Sequence, residues 1–396
     1  MKYFLFSIAI IFLFANCKKE NKQDPLLSQA KCVDINNPIS ISINDLVTDI
    51  DTIGLEVTDS SLLGDIHMLR IMNDKLYILD TKDDAIYIFS RNGDFIRKIY
   101  RVGQGPKEYI RINGFEVDYQ RNCLILTDSF SKRIFIFDEY GELLKVVPLK
   151  FSAYILLARN GGFLNFYSGP KQMYASNQDM ENYNIHVLDS CGNFVSSFLE
   201  NQTPHRIDLE STERIDYHAN SEDVLFHPTF DNVIYRIDKN NQISPEYVFR
   251  NKSSYKLLTP EERRDMTHIF GQKNMIEEKE REGYLLSWGC VYDLDDYCLF
   301  TMTGWNHPKH IYYQKSTGKS IMIDPEKMKG DASLCRLFNT PIYQTEDNYF
   351  YNIIPLYIVD ELADKLPEGK LKTFLQNHNN PNSNPLIIKY KIKFPE

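Results

Sequence analysis

The strongest constraint on this chain is a hairpin signal that recurs at a nearly fixed interval. SRNGD at 90–94 follows the apolar run AIYIF, DEYGE at 138–142 follows RIFIF, and DSCGN at 189–193 follows YNIHVL. DKNNQ at 238–242 follows VIYRI, and KSTGK at 316–320 follows KHIYY. Each is an apolar strand closed by a Gly or Asn able to adopt positive φ, the local mark of a β-hairpin. Gly93 to Gly141 is 48 residues, Gly141 to Gly192 is 51, and Gly192 to Asn240 is 48. Asn240 to Gly318 is 78, one repeat plus an insertion.

A second turn precedes each of these strands by one strand length: MNDK at 72–75, YQRN at 119–122, RNGG at 159–162, NSED at 220–223, DLDD at 293–296 and TEDN at 345–348. LYILD, CLILTD, FLNFY, VLFHP, YCLFTM and YFYNI follow in turn. Each unit is therefore a four-stranded meander, and a period of about 50 residues with four strands per unit marks propeller blades. Runs such as LYIL and IYIF are apolar on both faces, as a sheet covered on each side requires. The expected fold class is all-β: a six-bladed β-propeller of four-stranded antiparallel blades, with helical insertions. An irregular β-sandwich is the alternative, and the regular spacing argues against it.

Blades are expected over 65–104, 113–150, 153–202, 206–250, 284–326 and 340–393 of a ring spanning 39–396. A closed ring must join its two ends, and Asp51–Val57 is expected to complete the sixth blade and remove its free edge. One insertion covers 251–283. Thr259-Pro260-Glu261-Glu262 has the residues of a capping box with Pro at the first turn, and Gly283 supplies a stop. The second insertion, 356–385, is expected to hold one or two short helices and a Pro/Asn loop.

The N-terminus reads as a targeting segment. Lys2 is followed by an apolar stretch, Tyr3–Ala15, too short to span a bilayer comfortably, and the segment ends in LFAN before Cys17. This resembles a bacterial lipobox. Residues 1–16 are expected to be a lipoprotein signal peptide, Cys17 the lipidated residue, and polar 17–38 a flexible tether. An uncut anchor or an ordinary signal peptide is the alternative. The net charge of −9, with no basic stretch beyond Lys18–Lys19, argues against nucleic acid as a partner. The other six cysteines show no CxxC and no zinc spacing. Cys290 and Cys298 flank the DLDD turn, and buried free thiols are preferred there over a cross-hairpin pair.

RVGQGPKEY at 101–109 is similar to the G-x-G-P-x-E-[FY] linker of NHL-type propellers. With the lipobox, ISINDLVTDIDTIGLEVTDSSLLGDI and the repeats, the chain resembles the six-bladed β-propeller lipoproteins of Bacteroidota over nearly its whole length. The resemblance implies fold and a cell-envelope address, on the periplasmic face or outer surface of the outer membrane. It implies no common chemistry, and fold alone does not choose between binding scaffold and enzyme.

The sequence contains no P-loop, G-x-S-x-G, H-E-x-x-H or EF-hand loop, so no catalytic residue, metal ligand or cofactor is assigned. His307 and His310 read as surface histidines, DTKDD at 80–84 as a solvated loop rather than a calcium site, and RVGQGPKEY as a structural turn rather than an anion cradle. Trp305 is a candidate sugar platform. Loop lengths separate two faces. Strand 1–2 and 3–4 turns are tight, whereas strand 2–3 loops and blade-to-blade linkers are long and polar. Binding concentrates on such loops of a rigid scaffold, which makes Arg101, Lys107, Tyr109, His205, Arg206, Trp305, Asn306 and His307 the candidate ligand-face residues. The expected function is a non-enzymatic binding or scaffold lipoprotein for a glycan, peptide or envelope protein. A propeller hydrolase or lyase acting on a polysaccharide or small envelope substrate is the alternative.

Overall fold

A computed structural model describes residues 27–394 except 154, 167–179, 181, 201–214, 217–222, 229, 266–271, 303–308, 328–341, 364–367, 379 and 381. Two strands, β1 (Lys31–Ile35) and β2 (Val47–Gly54), precede the repeats. Blade 1 is β3 (Ile66–Met72), β4 (Lys75–Asp80), β5 (Ala85–Ser90) and β6 (Phe95–Ile99). Blade 2 is β7 (Gly114–Asp118), β8 (Cys123–Asp128), β9 (Arg133–Asp138) and β10 (Leu143–Pro148). Blade 3 is β11 (Ile155–Arg159), β12 (Gly162–Phe166), β13 (Tyr183–Leu188) and β14 (Phe194–Glu200). Blade 4 is β15 (Ile215–Asp216), β16 (Val224–Phe226), β17 (Val233–Ile237) and β18 (Ile243–Asn251). Blade 5 is β19 (Ser287–Asp293), β20 (Tyr297–Met302), β21 (Lys309–Gln314) and β22 (Lys319–Ile323). Blade 6 takes β23 (Ile342–Glu346), β24 (Tyr349–Ile354) and β25 (Leu386–Ile392), and β2 pairs antiparallel with β25 as its fourth strand.

The six-bladed propeller read from the spacing is thus the fold. The closing strand is Val47–Gly54 rather than Asp51–Val57, because Thr48 and Asp51 flank a break in register and pairing ends at Gly54 with Leu386. The left-handed residue of the fourth repeat is Asn241 (φ 62°), one position after Asn240. It occupies the place of Gly93, Gly141 and Gly192, and in each case its amide donates to the residue three back. At 138, 189 and 238 that residue is Asp, whose carboxylate also accepts the amides two and four residues on. The same device therefore closes several blades.

Burial explains why the strands are apolar on both sides. Among the described residues the core is split into six clusters, one at each blade junction. Tyr77, Phe115 and Phe135 meet between blades 1 and 2, for example, and Tyr247, Phe249 and Phe300 between blades 4 and 5. In blades 1 to 3 the outermost strand breaks register at exposed Ile96, Leu144 and Val195. Such bulges blunt a sheet edge against further pairing.

Part of the expected 17–38 tether is structured. In KCVDI, Val33 and Ile35 are fully buried while Lys31 and Cys32 are exposed and Asp34 is half-buried, and β1 pairs in parallel with β18 as a fifth strand of blade 4. The chain then crosses blade 5. Asn36 donates to the Ser320 carbonyl (3.1 Å), Ile39 bridges Ile323, and Ser40 donates to the Lys327 carbonyl (2.9 Å). It enters blade 6 as β2, so one N-terminal belt binds three blades.

Both insertions contain helices: Pro260–Asp265 and Gln272–Arg281 in the first, Leu356–Leu362 and Lys370–His378 in the second. The capping box forms as read, with the Thr259 amide donating to Glu262 (2.8 Å) and the Glu262 amide to Thr259 Oγ1 (3.2 Å). Arg263, on the first of these helices, is buried against Asp231 of blade 4 at 2.7 Å. Cys298 is a buried free thiol beside Asp293, with burial raising its pKa well above the usual thiol range. His310 is buried rather than superficial, since it lies within β21, paired with Thr301 on one side and Ile323 on the other.

Candidate functional site

The two ends of the blades do different work. Polar contacts tie every blade to the next, at the tight-turn face for all junctions but that of blades 4 and 5, where the contact is buried. Arg91 reaches Tyr351 (2.8 Å) across blades 6 and 1, and Lys75 meets Glu139 (2.7 Å) across 1 and 2. Lys145 donates to the Ser190 carbonyl (2.9 Å) across 2 and 3, and Asn160 to the Lys239 carbonyl (2.7 Å) across 3 and 4. Tyr247 and Cys298 lie 3.2 Å apart across 4 and 5, and the Asp295 amide donates to Asn348 (2.9 Å) across 5 and 6. The side chains named in these contacts are committed to holding the ring.

The sequence-based candidates separate into three groups, and those that are described lie on the long-loop face. Cys17, His205, Arg206, Trp305, Asn306 and His307 lie outside the described residues. Tyr109 is fully buried, its ring edge-on to Phe135 at 5.7 Å and its hydroxyl accepting from the Arg101 amide at 3.0 Å, so it is a core residue and not a ligand contact. An aromatic after a glycine-rich loop reads equally well as core or platform, and here the junction between blades 1 and 2 takes it. Arg101 is half-buried and Lys107 exposed, and among the described residues no carboxylate lies within ion-pair distance of either.

The 101–109 loop satisfies its own main chain. The Tyr109 amide donates to the Arg101 carbonyl (3.0 Å), and the Gly103 amide to the Tyr109 carbonyl (2.9 Å). The Glu108 carboxylate accepts from the Gly105 amide (2.8 Å) and sits where a Cβ on Gly103 would fall, 2.0 Å away. The anion cradle is thus filled from within, which is the structural-turn reading. Arg133 fixes the loop further by donating to the Gly105 carbonyl (3.0 Å).

The acidic 80–84 loop is likewise spoken for. Asp80 is fully buried, and its carboxylate accepts the amides of Gly64, Asp65, Lys82 and Asp83. Asp128 does the same in blade 2, accepting from Ile110 (2.7 Å) and Phe130 (2.9 Å). Each Asp ends a second strand and ties its own turn to the incoming linker. A calcium site would need these oxygens free, and among the described residues no three His, Cys, Asp or Glu side chains are grouped to hold a metal.

Beside this loop, between the linker from blade 6 and the outer edge of blade 1, lies an open cleft of 450 Å³. Leu62, Leu63 and Gly64 form one wall, Lys82 and Asp83 the other, with Tyr87 and Lys98 between. Asn384, 1 % exposed, holds the linker wall: it accepts from the Leu63 amide (2.8 Å) and donates to the Glu56 and Ser61 carbonyls (2.9 Å each). Lys98 donates to Asp83 (2.6 Å) and lies 4.7 Å over the Tyr87 ring and 5.3 Å from that of Tyr100. The bond from Lys98, aided by Tyr87, holds the Asp83 carboxyl below its ordinary range, and burial together with Asp83 pushes the Tyr87 hydroxyl up to about 12. Near neutral pH the cleft therefore offers a fixed ion pair and an un-ionised phenol. Neither is poised for proton transfer. No sequence motif announced the cleft, because it forms from three segments of blade 1 and its incoming linker that meet only in the folded blade.

Between the first strands of blades 1 and 2, Arg70 of β3 grips Glu116 of β7 through both carboxylate oxygens, and each neutralises the other.

Among solved structures, an exported protein of Bacteroides fragilis is similar, with a TM-score of 0.72 and 17 % identity over 92 % of this chain and all (100 %) of the other. A DUF4221-family member from Bacteroides vulgatus has a TM-score of 0.50 and 11 % identity, over 88 % of this chain and 98 % of the other. Both likenesses concern the fold. No curated protein matches the sequence. A family model described as a domain of unknown function, DUF4934, matches residues 28–391, and this protein belongs to that family.

Proposed function

We propose that this protein is an exported, lipid-anchored envelope protein whose six-bladed ring holds a glycan, peptide or protein partner on its long-loop face without catalysis. The observation that carries this reading is the contrast between the faces. Polar contacts tie all six blade junctions, five of them at the tight-turn end, while the other end keeps an open cleft, Arg101 and Lys107 without an ion-pair partner among the described residues, and long connections. Export is supported by the apolar segment ending at Cys17 and by the exported Bacteroides protein of the same fold.

The test is a glycan and peptide binding screen on the full chain in detergent, with a hydrolysis assay on every hit. Alanine at Arg101 or Lys107 should weaken binding at unchanged stability, and alanine at Asn92 or Asn240 should leave it unaltered. The reverse pattern would move the site to the tight-turn face. Product formed from a bound glycan would replace the scaffold reading with the hydrolase or lyase one. For the anchor, wild type should partition into detergent and Cys17→Ser should not; equal partitioning would remove lipidation.

A further inference from the structure

Five exposed apolar side chains, Leu62, Tyr100, Val102, Ile110 and Phe130, mark the long-loop face from the cleft to the strand 2–3 turn of blade 2. Their continuity is structural. Lys98 links the cleft to Tyr100, Val102 is bridged to Tyr109, and the amides of Ile110 and Phe130 both donate to the Asp128 carboxylate. Arg101 and Lys107 stand within this strip without an ionic partner among the described residues, in a chain whose net charge is −9. Lone cations among exposed rings, on an otherwise acidic protein, select a ligand that carries negative charge and flat apolar faces.

The main chain narrows the class. The amides of Arg101, Gly103, Gly105, Tyr109, Ile110 and Ile112 all donate within the protein. An extended peptide recognised by strand addition would need such groups free. What remains is recognition by side chains alone: point charges, and rings on which a sugar's apolar face can lie. We infer that the strip formed by Tyr100, Arg101, Val102, Lys107, Ile110 and Phe130 binds an acidic saccharide chain, its carboxylates or sulfates meeting Arg101 and Lys107 and its sugar rings meeting Tyr100 and Phe130. This rests on the long-loop-face reading above and names its ligand class.

Affinity electrophoresis of the full chain in detergent tests it, with polygalacturonate as the acidic probe and pullulan as the neutral one. Polygalacturonate should retard the wild type and pullulan should not. The Arg101→Ala/Lys107→Ala double variant should lose about tenfold in affinity, an ordinary loss for truncating central contacts. Tyr100→Ala and Phe130→Ala should also weaken it, which plain charge attraction would not require, and Lys319→Ala, an exposed cation of blade 5, should change nothing. No retardation, or retardation indifferent to Arg101 and Lys107, overturns the inference. Equal retardation by pullulan that still depends on Tyr100 would discard the acidic class and keep the face. Loss on Asn92→Ala instead would discard both. Stronger, Arg101-dependent binding to phosphatidylglycerol vesicles than to polygalacturonate would replace the saccharide with a lipid headgroup.

Discussion

Replacing Gly93 by alanine should injure the ring where it closes. Gly93 has φ 96°, and a Cβ there would lie 2.0 Å from the Gly54 carbonyl oxygen, at the end of the closing strand β2. Around this contact the Glu56 amide donates to the Gly93 carbonyl (2.8 Å), and the Phe95 amide donates to Glu56 Oε2 (2.7 Å). Gly161 is the matched control, with φ 81° and nothing within 4 Å of its Cβ position. Both changes incur the cost of a side chain in the left-handed region, about 1 kcal/mol. Gly93→Ala must also displace backbone, and overpacking of this kind adds about 1–3 kcal/mol. Gly161→Ala should thus cost about 1 kcal/mol and Gly93→Ala about 2–4 kcal/mol. Guanidinium unfolding followed by tyrosine fluorescence, with m-values compared, measures both. Equal losses would show that the turn of blade 1 does not bear on the closing strand.

Three further outcomes follow from the packing. Asn384→Ala leaves the buried Leu63 amide without an acceptor and should cost about 2–3 kcal/mol in the same unfolding assay, against under about 0.5 for exposed Asn382→Ala; comparable losses would remove Asn384 as the anchor of the cleft wall. His310 is held to about 4 by burial, below its ordinary 6.5, so its contribution is complete above 6.5 and is lost as pH falls toward 4. Thermal melts across that window should show His310→Leu, which also removes two unpartnered buried ring nitrogens, losing less stability on acidification than wild type; parallel curves would contradict this. Deleting residues 27–54 removes both β1 and β2 and should produce aggregation and early melting by light scattering and calorimetry, whereas an unchanged monomer would mean the ring holds without its belt.

The sequence made the fold legible because each blade repeats the same local chemistry. A left-handed Gly or Asn must sit three residues after its turn partner, and strands covered on both sides must be apolar on both sides. The belt was less visible. Val33 and Ile35 show the alternation of a strand, but five residues amid Lys, Asn and Asp read first as tether. The long-loop face was legible as a face, from loop length, and less so residue by residue. Tyr109 and His310 are polar-tipped residues in loop-like contexts, and only the positions of neighbouring blades decide that they are buried. The cleft had no signal at all, since Leu62, Lys82 and Lys98 meet through tertiary geometry.

The pairing of β2 with β25 orders events in time. Val47 waits for Ile392, so a segment made early finds its sheet only when a strand far later in the sequence arrives. If the chain crosses a membrane N-terminus first, it cannot complete its ring while still threading through, and the unpaired edge of blade 6 persists until the last strand emerges. Contacts so distant in sequence form slowly. Within Val47–Gly54 the side chains of Thr48, Asp49, Asp51 and Thr52 keep that waiting segment polar, as an early-emerging, late-docking strand requires if it is to stay unaggregated beside its neighbours.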